Sequence, residues 1–201
     1  MRGKILKAFL NPALAYYSLR NKIRKELFLK KIERSGEVYL SYKDELYPEY
    51  LFKKKGSAQI HKRALLYCRG RGIDIGAGAW PLSGAKAIEN ITEENAYKLD
   101  RFPDNSLDFV FSSHCLEHLE RWREALSLWN LKLKKGGALF LYLPHESMKL
   151  WKPREIFGMG HVWSPTWQTL IPFLEKKGMK IKEFEPNRDK FWSFHIAARK
   201  N

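Results

Sequence analysis

Gly72-Ile73-Asp74-Ile75-Gly76-Ala77-Gly78 reads as a short apolar strand running straight into a glycine turn. Glycines at 76 and 78 let the backbone approach a ligand closely and take conformations that a side chain forbids. In an open α/β sheet, the carboxyl end of such a strand is where ligands sit. A G-x-G pair is a weak signal alone. Its dinucleotide-binding form needs a third glycine and a helix whose N-terminus meets the pyrophosphate. The chain instead continues Ala79-Trp80-Pro81, which is bulky and turn-like and argues against a dinucleotide site.

Downstream, strand and helix alternate. Ala85 to Glu89 forms a second strand, and Leu107-Asp108-Phe109-Val110-Phe111 a third, buried one. Leu119 to Leu133 carries helical spacing, with Lys134-Lys135-Gly136-Gly137 as a basic-then-glycine stop. Ala138 to Leu143 is the next strand, halted by Pro144. A helix from about Pro165 to Lys177 ends at Gly178. Two last strands, Met179–Phe184 and Phe191–Ala198, are joined by the turn at 185–189 and form a hairpin, which puts an antiparallel strand in the sheet. Apolar strands alternating with helices predict an α/β sheet covered on both faces.

Upstream, the grammar differs. Ile5, Phe9, Ala13 and Tyr17, and likewise Leu6, Leu10 and Leu14, recur every four residues. A later stripe of Leu19, Ile23, Leu27 and Ile32 is flanked by Arg20, Lys22, Arg24, Lys25, Lys30 and Lys31. Ser35-Gly36 ends this helical region, residues 37–56 read as aromatic and loop-like, and Ser57 caps a helix to Cys68 with Ile60, Ala64 and Leu65 inward. The expected division is a basic helical extension at 1–56 and a domain at 57–201.

The charge agrees with that division. Of 37 Lys and Arg against 22 Asp and Glu, for a net charge of +15, residues 1–71 hold 18 basic and 6 acidic side chains. Such asymmetry points to an anionic partner, a lipid surface or a nucleic acid, rather than to the fold. Two cysteines, Cys68 and Cys115, make neither a disulfide framework nor a C-x-x-C pair. No stretch approaches the roughly 20 apolar residues of a membrane span. Asn11-Pro12 interrupts the first apolar run, so the expected location is cytoplasmic, peripheral on the inner membrane face if the basic region meets lipid.

Asp74-Ile75-Gly76-Ala77-Gly78, Phe102-Pro103-Asp104-Asn105-Ser106-Leu107-Asp108, Ser112-Ser113-His114-Cys115-Leu116-Glu117-His118 and Leu133-Lys134-Lys135-Gly136-Gly137, in that order, resemble the class I S-adenosylmethionine-dependent methyltransferases of the small-molecule branch. The resemblance covers about residues 71–143. It implies a Rossmann-like three-layer sandwich with a mostly parallel sheet, an antiparallel last strand and, here, a shortened cofactor half preceded by basic helices. It also implies S-adenosylmethionine as cofactor. Gly76, Ala77 and Gly78 would make room for its methionyl part, and Asp74 would fix the loop and the ammonium group. Glu89 would accept the ribose hydroxyls, as a carboxylate with two acceptor oxygens suits a vicinal diol. Ser113 and His114 would line the cofactor and the substrate entrance. The chain departs from the pattern between Gly78 and Asp108. Glu89 is eleven positions from Gly78 and nineteen from Asp108, so a helix, a strand and a further helical piece are missing. The acidic adenine contact has no clear equivalent, Asn95 and Asp100 being the nearest polar residues.

Histidines are the other chemical candidates. His114 and His118 stand i, i+4, which on a helix puts both on one face, but no third ligand is evident nearby and no metal is expected. His145 follows the fifth strand, and His161 lies in a glycine-containing loop suited to closing over a substrate. Neutral imidazole suits the removal of a hydroxyl proton, so His114, His145 and His161 are the candidate bases. His195, within the last strand, reads as core or sheet surface. Trp80, Trp151, Trp163, Trp167 and Trp192 belong to loops expected at the same sheet end, whereas Trp122 and Trp129 read as helix packing. The expected activity is O-methylation of a small-molecule or glycan acceptor, a sugar hydroxyl of a surface polysaccharide or lipid-linked precursor, beside an anionic membrane. RNA methylation through the basic N-terminus, and a non-catalytic binding module, are the alternatives.

Overall fold

The computed structural model describes residues 12–53, 58–89, 94–158 and 160–201. The apolar spacing expected before Pro12 and the cap expected at Ser57 lie outside them. The chain forms two compact units, one from residues 1–54 and 149–160, the other from 55–148 and 161–201. Among the described residues no helix is long and apolar enough to cross a membrane.

The first unit contains helix α1 (Pro12–Phe28), which starts on a proline, where the missing N–H costs nothing. It then departs from the expected helical reading. Strands β1 (Lys30–Arg34), β2 (Glu37–Tyr42) and β3 (Glu45–Pro48) form an antiparallel meander where a helix end and a loop were expected. Ile32 therefore belongs to β1 and not to the helical stripe. The turns explain it. Ser35-Gly36 and Lys43-Asp44 both take left-handed conformations at the two central positions, the geometry of a tight hairpin whose twist matches its strands. Helix α2 (Tyr50–Lys53) follows. Glu155, supplied by the 149–160 segment, is the unit's polar hub. Its Oε1 pairs with Lys43 at 2.7 Å, and its Oε2 accepts from Tyr42 at 2.5 Å and Arg24 at 3.1 Å. Burial opposes the charge, but Lys43 and Tyr42 outweigh it and hold the carboxyl below its ordinary value. Phe52 stacks on Phe157, which also carries the Lys25 ammonium over its ring.

In the second unit the expected helix from 57 to 68 shortens to one turn, α3 (His61–Ala64), continued by turns to Cys68. Ala64 and Cys68 are buried, but Leu65 is exposed, contrary to its expected inward place. Strands β4 (Gly72–Ile75), β5 (Ala85–Ile88), β6 (Leu107–Ser113), β7 (Leu133–Pro144), β8 (Met179–Glu185) and β9 (Ser193–Lys200) form one sheet in the order β5-β4-β6-β7-β9-β8. The first four are parallel, and β9 is antiparallel to both β7 and β8. Period-two alternation sorts the core. Ile73, Ile75, Val110, Leu139 and Leu141 face one side, while Phe109, Phe111, Phe140 and Tyr142 face the other with Ala64, Cys68 and Leu82. The first side is covered by α4 (Trp122–Lys132), which buries Trp122, Ala125, Leu126 and Trp129 at i, i+3, i+4 and i+7, and by α5 (Trp167–Lys176), capped by Thr166. Gly72 is needed here, since a Cβ would lie 2.4 Å from the Phe109 ring.

Two further segments depart from what their sequence predicts. Lys134-Lys135-Gly136-Gly137 does not stop the helix, which already ends at Lys132. It forms the irregular opening of β7, with Gly136 left-handed and Gly137 too close to the Lys134 carbonyl for a side chain. His114 and His118 are not on one helix, because His114 is left-handed and the turn at Leu116–His118 is a single 3₁₀ turn.

Glu183 of β8 ties α3 to the sheet. It accepts from Arg63 at 2.7 and 2.6 Å, from Tyr67 at 2.6 Å, and meets His195 at 2.6 Å. The Arg63 guanidinium, above all, pulls its carboxyl down to about 2. A depressed carboxyl stabilises the fold above its unfolded value, about 4.5, and loses that contribution as pH falls towards 2. Glu183→Gln is therefore expected to lower stability by about 1–2 kcal/mol at pH 7, Arg63 being largely open to solvent. In urea unfolding, the gap from the parent should close between pH 4.5 and 2.

Candidate functional site

Strand order reverses around β4, with β5 on one side and β6 on the other. That switch point lies at the carboxyl ends of β4 and β6, the place where open α/β sheets hold ligands in a crevice. The turns leaving these strands therefore decide the site.

The turn after β4 has no helix behind it. Its shape comes from three hydrogen bonds. Asp74, 1% exposed, accepts the Leu82 N–H at 2.8 Å through Oδ2. Gly76 N–H donates to the Ile88 carbonyl at 2.9 Å, and Gly78 N–H donates to Glu89 Oε1. Gly76 has φ +76°, and a Cβ there would lie 2.6 Å from Cys115 Cβ and Sγ. Gly78, at φ +57°, would meet nothing within 4 Å, so its outer side is open. Ala77 is buried between them. Burial pushes the Asp74 carboxyl up to about 6, against the opposing Leu82 N–H, and Glu89 adds to the rise. Its Oδ1 is buried without a hydrogen-bond partner.

These features fit the group the sequence implies. A cationic ammonium is what a buried, half-satisfied carboxylate wants, and an open backbone turn admits a chain beside it. Glu89 follows β5 directly, next to that turn and half-buried. The expected adenine contacts are less well placed: Asn95 turns its Oδ1 onto the Tyr97 N–H, and Asp100 is exposed beside Lys98. Asp104 and Asp108 serve the fold, pairing with Lys132 at 2.8 Å and Lys134 at 2.9 Å.

After β6 the chain turns through Ser113, buried, and His114, whose N–H donates to the Tyr142 carbonyl at 2.9 Å. His114 Nε2 meets Ser193 Oγ at 3.0 Å, and its Nδ1 stands 3.5 Å from Glu117 Oε1. Cys115, missed as a site residue, seats the glycine turn against β6. Its thiol is pushed up to about 12 by burial, so it packs and does not react. Glu117 is fully buried, and neither carboxylate oxygen makes a hydrogen bond. Burial pushes its carboxyl up, yet His114, His161 and His118 together bring it below the ordinary value.

The 161–163 loop lies against this turn. Val162 N–H donates to the Glu117 carbonyl at 2.9 Å and Trp163 Nε1 to the Leu116 carbonyl at 2.8 Å, while the Trp163 indole stacks on Trp122. His161 Nε2 is thereby held 3.9 Å from Glu117 Oε1, and its ring meets that of His118 edge-on at 4.6 Å. His114, His118 and His161 thus surround one carboxylate. No spacing in the sequence links residue 161 to 117; only the loop contacts do.

His145 stands apart. Its Nδ1 accepts the Ser147 N–H at 3.1 Å and its Nε2 reaches the Pro186 carbonyl at 3.1 Å, so both ring nitrogens are engaged in holding turns. His195 lies on the sheet surface against Phe140 and Glu183. Of the loop tryptophans, Trp80 is exposed on the glycine turn, and Trp192 is buried under the Arg188 guanidinium.

Residues 55–141 match the family model described as a methyltransferase domain. No curated protein matches the chain. Among solved structures, a SAM-dependent methyltransferase from Archaeoglobus fulgidus is 24% identical with a TM-score of 0.56, covering 76% of this chain and 97% of its own. A possible histamine N-methyltransferase from Thermotoga maritima is 16% identical with a TM-score of 0.55, covering 76% and 93%. The Burkholderia thailandensis 1,6-didemethyltoxoflavin-N1-methyltransferase, bound to that compound and S-adenosylhomocysteine, is 11% identical with a TM-score of 0.54, covering 87% and 99%. These likenesses establish a shared fold.

Asp74 gives a test of the crevice. An acid whose folded value lies above its unfolded one costs stability once pH rises through the folded value. Asp74→Asn keeps an acceptor for Leu82 and is expected to raise the free protein's stability by about 1–2 kcal/mol at pH 8, and by nothing near pH 4. The same variant should bind S-adenosylmethionine at least tenfold more weakly. Thermal unfolding across pH with calorimetric titration checks both signs.

Proposed function

We propose that the chain is a class I S-adenosylmethionine-dependent methyltransferase, a reading supported by the methyltransferase-domain match over residues 55–141, and that it methylates a hydroxyl group. The observation that carries this reading is the gathering of His114, His118 and His161 at the carboxyl edge of β6, beside the switch-point crevice. A hydroxyl must lose its proton as it is methylated, and imidazole is the side chain suited to take it near neutral pH. An amine acceptor needs less help of this kind. The sequence Leu143-Pro144-His145-Glu146 at the end of β7 also lacks the Asn/Asp-Pro-Pro-aromatic pattern of base-amino methylation.

When bound, S-adenosylmethionine supplies a methyl group on a sulfonium centre. The chain's own residues do the rest. Asp74 and the open side of Gly78 would receive the methionyl part, with Ala77 packed beneath. Glu89 would accept hydrogen bonds from the ribose diol, and Ser113 with His114 would wall the site towards the acceptor, whose oxygen would be held in line with the methyl group. The hydroxyl proton passes to an imidazole and then to water. Most of the acceleration comes from holding oxygen and methyl in line.

The acceptor we favour is a sugar hydroxyl of a glycan or lipid-linked precursor, met at an anionic membrane surface. Helix α1 supports this. Leu19, Ile23 and Leu27 recur at i, i+4 and i+8 with exposures of 59, 47 and 65%, and Arg20, Lys22 and Lys25 flank them, Arg24 being turned to Glu155. An apolar stripe edged with cations suits the headgroup boundary of anionic lipid.

Calorimetric titration with S-adenosylmethionine and S-adenosylhomocysteine is expected to give micromolar affinity, weakened by roughly 1–3 kcal/mol in Glu89→Ala. Methyl ethers should then form on glycan or lipid-linked sugar acceptors. Absence of cofactor binding would return the chain to the class of non-catalytic modules. For the N-terminal surface, sedimentation with phosphatidylglycerol vesicles but not phosphatidylcholine vesicles is expected, reduced several-fold by Ile23→Asp with Leu27→Asp. Salt-sensitive capture of RNA without vesicle binding would instead favour a nucleic-acid acceptor.

A further inference from the structure

Glu117 is the one fully buried carboxylate in the second unit whose two oxygens both lack a hydrogen bond, among the described residues. Burying an ionised carboxylate is costly unless a cation or donors surround it. Imidazoles approach it, His114 Nδ1 at 3.5 Å and His161 Nε2 at 3.9 Å from Oε1, without a hydrogen bond of ordinary geometry to either oxygen. One carboxylate oxygen and one nitrogen from each of His118 and His161 all lie within 4.8 Å of one another. Donor atoms about 2.1 Å from a common cation stand somewhat over 3 Å apart, so a modest inward movement of two rings satisfies all three.

We propose that Glu117, His118 and His161 form a binding site for a divalent first-row transition metal. Two imidazoles and a carboxylate are the donor set of catalytic zinc and of other metals that keep coordination positions open. The burial pattern gives the site a direction. Glu117 is closed off, the His161 side chain is 10% exposed, and His118 faces solvent. Open positions therefore point outwards, towards the carboxyl edge where an acceptor arrives. The Val162 N–H and the Trp163 indole, bonded to the carbonyls of Glu117 and Leu116, preset His161 against Glu117, and His114, bonded to Ser193 through Nε2, turns its Nδ1 to the same carboxylate at 3.5 Å.

The role of such a cation rests on the hydroxyl-acceptor reading. With His118 and His161 engaged as ligands, the cation takes over the part of a free imidazole base: coordinating an acceptor hydroxyl lowers its pKa, so the oxygen sheds its proton to solvent and bonds the methyl carbon, while sulfur keeps the electron pair of the broken bond. One alcohol and one sulfonium give one methyl ether, one thioether and one proton. Metal binding itself does not depend on that reading.

The test uses the full chain without a histidine tag, stripped with chelator and titrated with Zn²⁺, with Co²⁺ as a visible-absorption probe and Mg²⁺ as a control. The expected result is one Zn²⁺ or Co²⁺ per chain at micromolar affinity or tighter, Co²⁺ bands typical of nitrogen and oxygen ligation, and weak Mg²⁺ binding. His118→Ala, at an exposed position, should weaken Co²⁺ binding at least tenfold and leave S-adenosylmethionine binding unchanged. His161→Ala should do the same, and Glu117→Gln should abolish the metal site. No stoichiometric binding by the parent, or equal affinity in His118→Ala, overturns the site. Metal binding as expected without methylation of any hydroxyl leaves the site standing and removes the acceptor reading instead.

Discussion

The Leu82 N–H to Asp74 bond takes the place of a missing element. A glycine turn at a switch point ordinarily leans on the helix that follows it, but here β5 begins seven residues after Gly78. The buried Asp74 carboxylate reaches forward instead and fixes the far end of the turn. Glu89 and the Ile88 carbonyl fix its near side, and Cys115 sits where a side chain on Gly76 would go. The crevice is thus built from strand ends alone. Its cost is a carboxylate held in apolar surroundings with one oxygen unmatched, a strain that a cationic ligand relieves.

How much of this is legible in the sequence depends on what each residue answers to. Strands β4, β6 and the 138–143 part of β7 are buried and mostly apolar, and α4 spaces its buried residues at helical intervals, so local pattern and final environment agree. The meander of the first unit was misread because Ser35-Gly36 serves a helix stop and a hairpin turn equally well. Its strands also mix charged and aromatic residues without a clean alternation. Lys134 to Gly137 misled in the opposite sense, glycines at an irregular strand opening being indistinguishable locally from a helix terminator.

The site divides the same way. Asp74, Gly76, Gly78 and Glu89 lie within one strand–turn–strand passage, so sequence order carries their proximity. The imidazole cluster does not. His114 and His118 were visible as a pair, but Glu117 passed as part of a motif, and His161 joins them only through contacts of its loop with the backbone at 116 and 117. His145 shows the converse: its position after β7 suited a base, and its ring is spent on two turns.

The placement of Glu155 has a consequence for synthesis. The carboxylate that gathers Arg24, Tyr42 and Lys43 is 131 positions beyond Arg24 and follows β7 in the chain. During translation, α1 and the meander leave the ribosome early, yet their central ion pairs cannot form until β4 to β7 have also been made. The first-made unit must therefore wait for a segment inserted after the fourth parallel strand of the second. Its exposed cations are in the meantime available to anionic surfaces such as ribosomal RNA, and a fragment ending near residue 54 would lack the group that balances them.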